Sequence, residues 1–271
     1  MFQFRALPVC AAVLAAMGLA TAAEPKTVTI KGQITFSKPV DIGVEKTAGN
    51  ADEPTCCKAG PLKKNDLEID AKTNGLLNVI VWLRPDDNNK AAKIPEDLIP
   101  KELQKPKPVM HVVDQPNCQF EPRVFAAREG DTLWIKNTSK MAHNINWKSE
   151  GLEFNQTVPA GKDYKPEGAL KADRLPGNFS CGMHPWMAGK IRVFDHPFFT
   201  VTDKDGKFEI KNVPEGSFRI VYAHEKGYHK GAAGALGTSI KVADEGTGTM
   251  ELKPIDYEFP NGAVKLKDVV K

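Results

Sequence analysis

The segment Phe179-Ser180-Cys181-Gly182-Met183-His184-Pro185-Trp186-Met187 places a thiol, an imidazole and a thioether at positions i, i+3 and i+6. A single tight loop with that spacing can wrap one metal ion. Thiolate and thioether suit Cu(I), whereas imidazole suits both Cu(I) and Cu(II). Two imidazoles and one thiolate in a trigonal set, with a long axial thioether, serve one-electron transfer at copper. Zinc prefers Cys, His and carboxylate ligands, so the thioether argues against it. The loop supplies one His, and a second must come from elsewhere. His143 is the natural candidate, in Met141-Ala142-His143-Asn144-Ile145-Asn146-Trp147 just after an expected strand ending near Asn137. His111, His196, His224 and His229 show no ligand spacing and read as structural or surface residues. No nucleophile elbow, phosphate-binding glycine loop or HExxH is present, so no motif marks the chain as an enzyme.

The elements that must position these residues are strands. Pro and Gly are abundant, with 20 and 22 residues, and the apolar runs are short and rich in Val, Ile and Phe. Helical periodicity is hard to find, which favours an all-β chain. Strand-like runs occur at 27–36, 67–69 and 77–83, then at 109–113, 120–126, 132–136, 144–147 and 190–194. Further runs lie at 199–202, 207–210, 217–223 and 239–242. Residues 128–131 read as a turn. Asp205-Gly206 between two alternating runs is a hairpin signal. Residues 47–61 read as loop and carry Cys56 and Cys57. Residues 85–108, charged and punctuated by Pro, read mostly as linker, with one short helix at 95–98 that begins on Pro.

The first 23 residues combine Arg5, an apolar run and the small residues Ala20-Thr21-Ala22-Ala23, the pattern of a secretory leader. The run is too short to span a membrane, and Cys10 lies too early in it for lipidation. No other stretch approaches 18 apolar residues. The expectation is an exported, periplasmic chain with no membrane span. The formal net charge of +3 is too small and too mixed for a nucleic-acid footprint.

From about Val109 to Asp195 the chain resembles the cupredoxins, the plastocyanin and amicyanin group. The resemblance rests on Cys118-Gln119-Phe120-Glu121-Pro122, Gly130-Asp131-Thr132, Asn137, His143-Asn144-Ile145 and Cys181-x-x-His184-x-x-Met187. It implies a Greek-key β-sandwich in which His143, Cys181, His184 and Met187 bind one copper ion. It also implies that Asn144 tethers the ligand loops by hydrogen bonding. One departure is Met183, where amicyanin-like loops often carry Pro. In this family the second His often reaches the surface through an apolar patch, which Pro185, Trp186, Ala188 and Gly189 would form here. A redox partner protein, such as a c-type cytochrome or an oxidoreductase, would dock at Pro185 and Trp186. An alternative for Trp186 is packing against the region that starts near Pro197.

The flanks resemble a carboxypeptidase regulatory-like domain, a small transthyretin-like β-sandwich. Ile30-Lys31-Gly32-Gln33-Ile34 and 77–83 carry its opening features, and 199–218 its later ones. Neither flank has enough strands for two sheets, so the expectation is a split sandwich with the copper domain inserted in it. The boundaries are 1–23 leader, 24–107 first part, 108–196 cupredoxin domain, 197–253 second part and 254–271 tail. The whole resembles exported bacterial methylamine-utilisation or plastocyanin-like proteins.

Four cysteines remain without the leader, and an oxidising compartment would pair them. Cys118 bonded to Cys56 or Cys57 would leave Cys181 free for metal, whereas a disulfide at Cys181 would deny copper its thiolate. The functional expectation is a one-electron copper carrier of blue-copper type, not an enzyme. The alternatives are a copper handling or delivery protein, and a non-redox sandwich that binds carbohydrate or protein.

Overall fold

A computed structural model of the chain describes residues 26–62 and 64–265. The expected leader, with Cys10, lies outside them. The strands are β1 (Thr27–Thr35), β2 (Ile80–Pro85), β3 (Met110–Val113), β4 (Val124–Arg128), β5 (Thr132–Lys136), β6 (His143–Ser149), β7 (Leu152–Val158), β8 (Asp163–Tyr164), β9 (Gly177–Ser180) and β10 (Ala188–Phe194). They continue as β11 (Phe199–Val201), β12 (Lys207–Pro214), β13 (Gly216–His224), β14 (Gly227–Tyr228), β15 (Thr238–Val242), β16 (Thr249–Glu251) and β17 (Ile255–Asp256). The protein is all-β, and among the described residues the helices are short, three to six residues each.

Backbone pairing joins the strands into four sheets. The first has the order β12-β1-β16, with β17 also on β1, and the second has β11-β2-β13-β14, with β15 on β13. Strands from before and after the middle of the chain therefore share sheets, since β1 pairs antiparallel with β12 and β2 with β13. The third sheet is β4-β10-β9-β6-β7 and the fourth β3-β5-β8. Three apolar layers join them. Val28, Ile30 and Ile34 of β1 meet Val81 and Leu83 of β2 and Ile220 of β13. On the other face of β2, Ile80 and Trp82 pack with Val124 of β4, Phe194 of β10 and Val221 of β13. The opposite face of β4 and β10 packs Phe125, Ile191 and Val193 with Trp147, Phe179, Leu133 and Ile135. A strand covered on both faces loses its polar alternation, which is why the run around β2 is continuously apolar.

Several expectations are corrected. The run at 77–83 enters its sheet only at Ile80, because Asn78 adopts φ +66°, a left-handed turn that Asn tolerates. The run at 67–69 contributes one isolated bridge, Ile69 to Leu76. The hairpin expected around Asp205-Gly206 does not form, since β11 pairs with β2 and β12 with β1. The chain turns there between two sheets. Gly206, at φ +72°, lies against Gly75 and the Ile34 carbonyl, where any Cβ would collide. The stretch 85–108 is no free linker, because Ile94 and Ile99 are buried in the core of the first two sheets. Its expected helix is a 3-10 turn, Glu96–Leu98, with Pro95 before it as N-cap. The expected tail contributes β17, and Tyr257 is 1% exposed in the same core, donating through its hydroxyl to the Gly227 carbonyl at 2.6 Å.

Candidate metal centre

The candidate ligands come from one end of the third sheet. Antiparallel β6 and β9 pair Asn146 with Ser180 and Trp147 with Phe179, so the start of β6 lies beside the end of β9. His143 opens β6, and Cys181 follows β9 directly. Antiparallel β9 and β10 pair Ser180 with Ala188, which makes residues 181–187 the closing loop between them. That loop is cinched by its own backbone: Cys181 N–H donates to the Met187 carbonyl at 3.0 Å, and Met187 N–H to the His184 carbonyl at 2.9 Å. Gly189, two residues further, leaves room for the Phe179 ring that stacks on Trp147 below, at 5.0 Å between centroids.

The side chains converge. His143 Nδ1 lies 2.9 Å from His184 Nδ1, which lies 3.6 Å from Cys181 Sγ. One ligand atom of each residue lies within 4.8 Å of the others. His143 and His184 are fully buried, Cys181 is 3% exposed, and Met187 is buried in the same cluster as Cys181. Burial pushes His143 down to about 4, and the neighbouring His184 adds to the effect. Burial also lowers His184, against the opposing pull of Asp52. Both imidazoles are therefore neutral at pH 7, the form that binds metal. His143 Nε2 is buried and has no hydrogen-bond partner. Two neutral imidazole nitrogens and one thiol sulfur, held close and dry, fit a copper ion by donor type.

Asn144 joins the two ligand segments. Its Oδ1 accepts from Gly182 N–H at 2.6 Å and from the Cys181 thiol at 3.3 Å. Asn137 braces the approach to His143, donating from Nδ2 to the carbonyls of Met141 and Val158, both at 2.8 Å. Cys56 and Cys118 form a disulfide, and Cys57 and Cys181 are free. Met141 Sδ sits 3.6 Å from Cys56 Sγ and 3.5 Å from Cys118 Sγ.

One expectation from the resemblance does not hold, because His184 does not reach the surface. Its Nε2 faces Asp52 Oδ2 at 3.1 Å, from the loop that precedes the short helix Glu53–Cys56. Asn50 of the same loop donates to the Met183 carbonyl at 3.0 Å. Gly189 is buried and takes no part in an exposed patch, whereas Pro185 is exposed. Trp186 is half-buried; its ring centroid is 5.1 Å from that of His184, and its Nε1 donates to the Cys118 carbonyl at 3.0 Å. It packs on the core around the disulfide rather than on the region after Pro197. Sequence reasoning missed Asp52 and Asn50, which lie in a polar loop 132 and 133 residues from their contacts. The only signal for them is Cys56, whose pairing with Cys118 brings that loop to this end of the sheet.

No family model matches the sequence, and no curated protein matches it. Among solved structures, the chain is similar to a proline-to-glycine mutant of amicyanin in its reduced Cu(I) form at pH 4. The identity is 22% over 33% of this chain and 85% of that one, with a TM-score of 0.28. It is similar to a purple cupredoxin from Nitrosopumilus maritimus at 19% identity, over 31% of this chain and 98% of that one, with a TM-score of 0.26. It is also similar to a Cu-containing nitrite reductase from Thermus scotoductus at 20% identity, over 41% of this chain and 25% of that one, with a TM-score of 0.29. These likenesses span a third or so of the chain. Among the described residues, no helix is long and apolar enough to cross a membrane.

Proposed function

We propose that the protein is an exported mononuclear copper protein that carries one electron, with His143, Cys181, His184 and Met187 as ligands. The observation that carries this reading is the approach of one ring nitrogen each of His143 and His184 and the Cys181 Sγ to within 4.8 Å of one another, all three residues being buried. When bound there, copper would supply a Cu(II)/Cu(I) couple. The chain's own residues do the rest. The cinched 181–187 loop and the β6–β9 pairing hold three donors without help from the metal, so little rearrangement accompanies a change of charge. Asn144 restrains the sulfur and the loop together. Burial excludes water from the donors. Met187, buried in the same core cluster as Cys181, would supply a thioether to the ion.

The flanking sheets support a second part of the proposal, a split regulatory-like sandwich that carries the copper domain as an insert. Pro185, exposed, and Trp186, against the His184 ring, offer the contact for a redox partner protein such as a c-type cytochrome. The test is copper loading of the purified chain, followed by metal analysis and a visible spectrum. One equivalent of copper, an intense thiolate-to-copper band, reversible bleaching on reduction and loss of the band in Cys181→Ser are expected. A stoichiometric but colourless complex would turn the reading to copper handling. No stoichiometric copper would overturn it.

A further inference from the structure

We propose that Asp52 is a positioning residue for His184, whose Nε2–H it holds so that Nδ1 faces His143 and Cys181. The inference rests on the ligand role proposed for His184. Three observations carry it. First, the imidazole is fully buried, and its two nitrogens have separate neighbours: Nε2 has Asp52 Oδ2 at 3.1 Å, while Nδ1 has His143 and Cys181. A neutral imidazole carries one N–H, and a carboxylate only accepts, so this contact assigns the proton to Nε2 and the lone pair to Nδ1.

Second, Asp52 stands at the N-cap of the helix Glu53–Cys56, yet its side chain makes no capping hydrogen bond. A capping Asp normally accepts from the second or third helical N–H, an interaction worth about 1 kcal/mol. Here the second position is Pro54, which has no N–H, and Thr55 N–H already donates to the Asp52 carbonyl at 3.0 Å. The local sequence thus leaves the carboxylate free for His184.

Third, the loop that carries Asp52 is anchored at several points around the site. Asp52 N–H donates to Asn50 Oδ1 at 2.9 Å, and Asn50 donates to the Met183 carbonyl of the ligand loop. Thr47 Oγ1 donates to Glu53 Oε1 at 3.1 Å. The disulfide fixes Cys56 to Cys118, whose carbonyl receives the Trp186 indole. A carboxylate on the far nitrogen of a metal-binding His fixes its tautomer and raises its basicity.

The experiment uses the full chain and begins without metal. Histidine side-chain nitrogen shifts at neutral pH report the tautomer directly. The Nε2–H form of His184 is expected in the parent and in Asp52→Asn, which keeps an acceptor, and a mixture of tautomers in Asp52→Leu. Cu(II) affinity by competition with a chelator forms the second arm. Asp52→Leu should bind about tenfold more weakly, with Asp52→Asn restoring most of the loss. Glu53→Gln makes the same charge change one residue away but keeps the Oε1 acceptor for Thr47, so it should leave affinity unchanged. Intact disulfide in each variant checks that the loop is in place, and Asp52→Ala replaces any variant that loses it. An unaltered His184 tautomer in Asp52→Leu overturns the proposal, as does an equal loss in Glu53→Gln. Should the parent bind no copper, the ligand role fails, while the metal-free tautomer still decides what Asp52 does.

Discussion

Arg123 offers a test of how the third sheet is joined to the second. It precedes β4, and its carbonyl accepts from Lys190 N–H of β10 at 2.9 Å. Its guanidinium grips Glu225, just after β13, with Nε to Oε1 at 2.8 Å and Nη2 to Oε2 at 2.9 Å. The remaining Nη1 donates to Asn65 at 2.8 Å, and both charged side chains are 9% exposed. With charge centres about 4 Å apart and an effective dielectric near 20, the attraction is about 4 kcal/mol. Removing one partner strands a buried charge, which costs about 3–5 kcal/mol. Arg123→Met should therefore lower stability by about 4 kcal/mol, which at a urea slope of about 3 kcal/mol/M moves the midpoint down by about 1.3 M. Glu225→Leu should cost a similar amount. The double variant removes both charges and should recover most of the loss, giving a coupling energy above about 2 kcal/mol. Tryptophan fluorescence through a urea titration measures all four proteins. A loss below about 1 kcal/mol in Arg123→Met, or simple additivity in the double variant, would refute the claim that this pair clamps the two sheets together.

Other expectations concern the candidate metal site and the core. The Cys56–Cys118 bridge closes a loop of 62 residues, so Cys56→Ser with Cys118→Ser should cost about 4 kcal/mol by chain entropy, read from the urea midpoint, with a change below about 1 kcal/mol contradicting it. Gly189→Ala would drive a Cβ into the Phe179 ring and the Arg123 carbonyl, destabilising by about 1–3 kcal/mol; Gly182→Ala, whose nearest neighbour would be Asn144 Oδ1 at 3.4 Å, should be mild by comparison. Burial pushes His224 down to about 3, and does the same to His196. Both stay neutral in the fold while an unfolded chain protonates them near pH 6.5. Their folded values are depressed, so stability is full above about 6.5 and falls as pH drops toward 3, by up to about 1.4 kcal/mol per pH unit for each. His224→Phe should reduce proton uptake on unfolding at pH 5 by about one, measured from the pH dependence of the urea midpoint.

The parts of this protein that were legible in its sequence are those whose physics is local. Cys181, His184 and Met187 share one loop, so their spacing alone marks a candidate metal-binding segment, and that segment is the loop closing β9 on β10. The alternation of 27–35 is that of a strand with one covered face, and β1 is such a strand. The unbroken apolar run around β2 is harder, because burial on two faces erases the period that reveals a strand's orientation. Asp205-Gly206 misled for a different reason. A glycine at positive φ makes a tight turn, but which sheets the flanking strands enter depends on distant partners, here β1 and β2. β7, whose residues alternate only between half-buried and exposed until Val158, has too weak a pattern to mark it.

The loop around Asp52 shows where local reading ends. Its residues are polar and its helix is a single turn, so by composition it is an ordinary surface loop. Its position follows from cysteine pairing. Cys118 lies in the same core as Cys181 and Met187, and the Cys56 bridge to it draws the whole loop over His184. Pro54 then removes the N–H that would have claimed the Asp52 carboxylate. Asp52, Pro54 and the Cys56–Cys118 bridge, each ordinary alone, thereby close the edge through which the second histidine was expected to meet solvent. Under the proposed one-electron role, an electron at His184 would pass the covered imidazole edge or the adjacent Trp186 ring, and the partner surface would include the loop that the disulfide holds down.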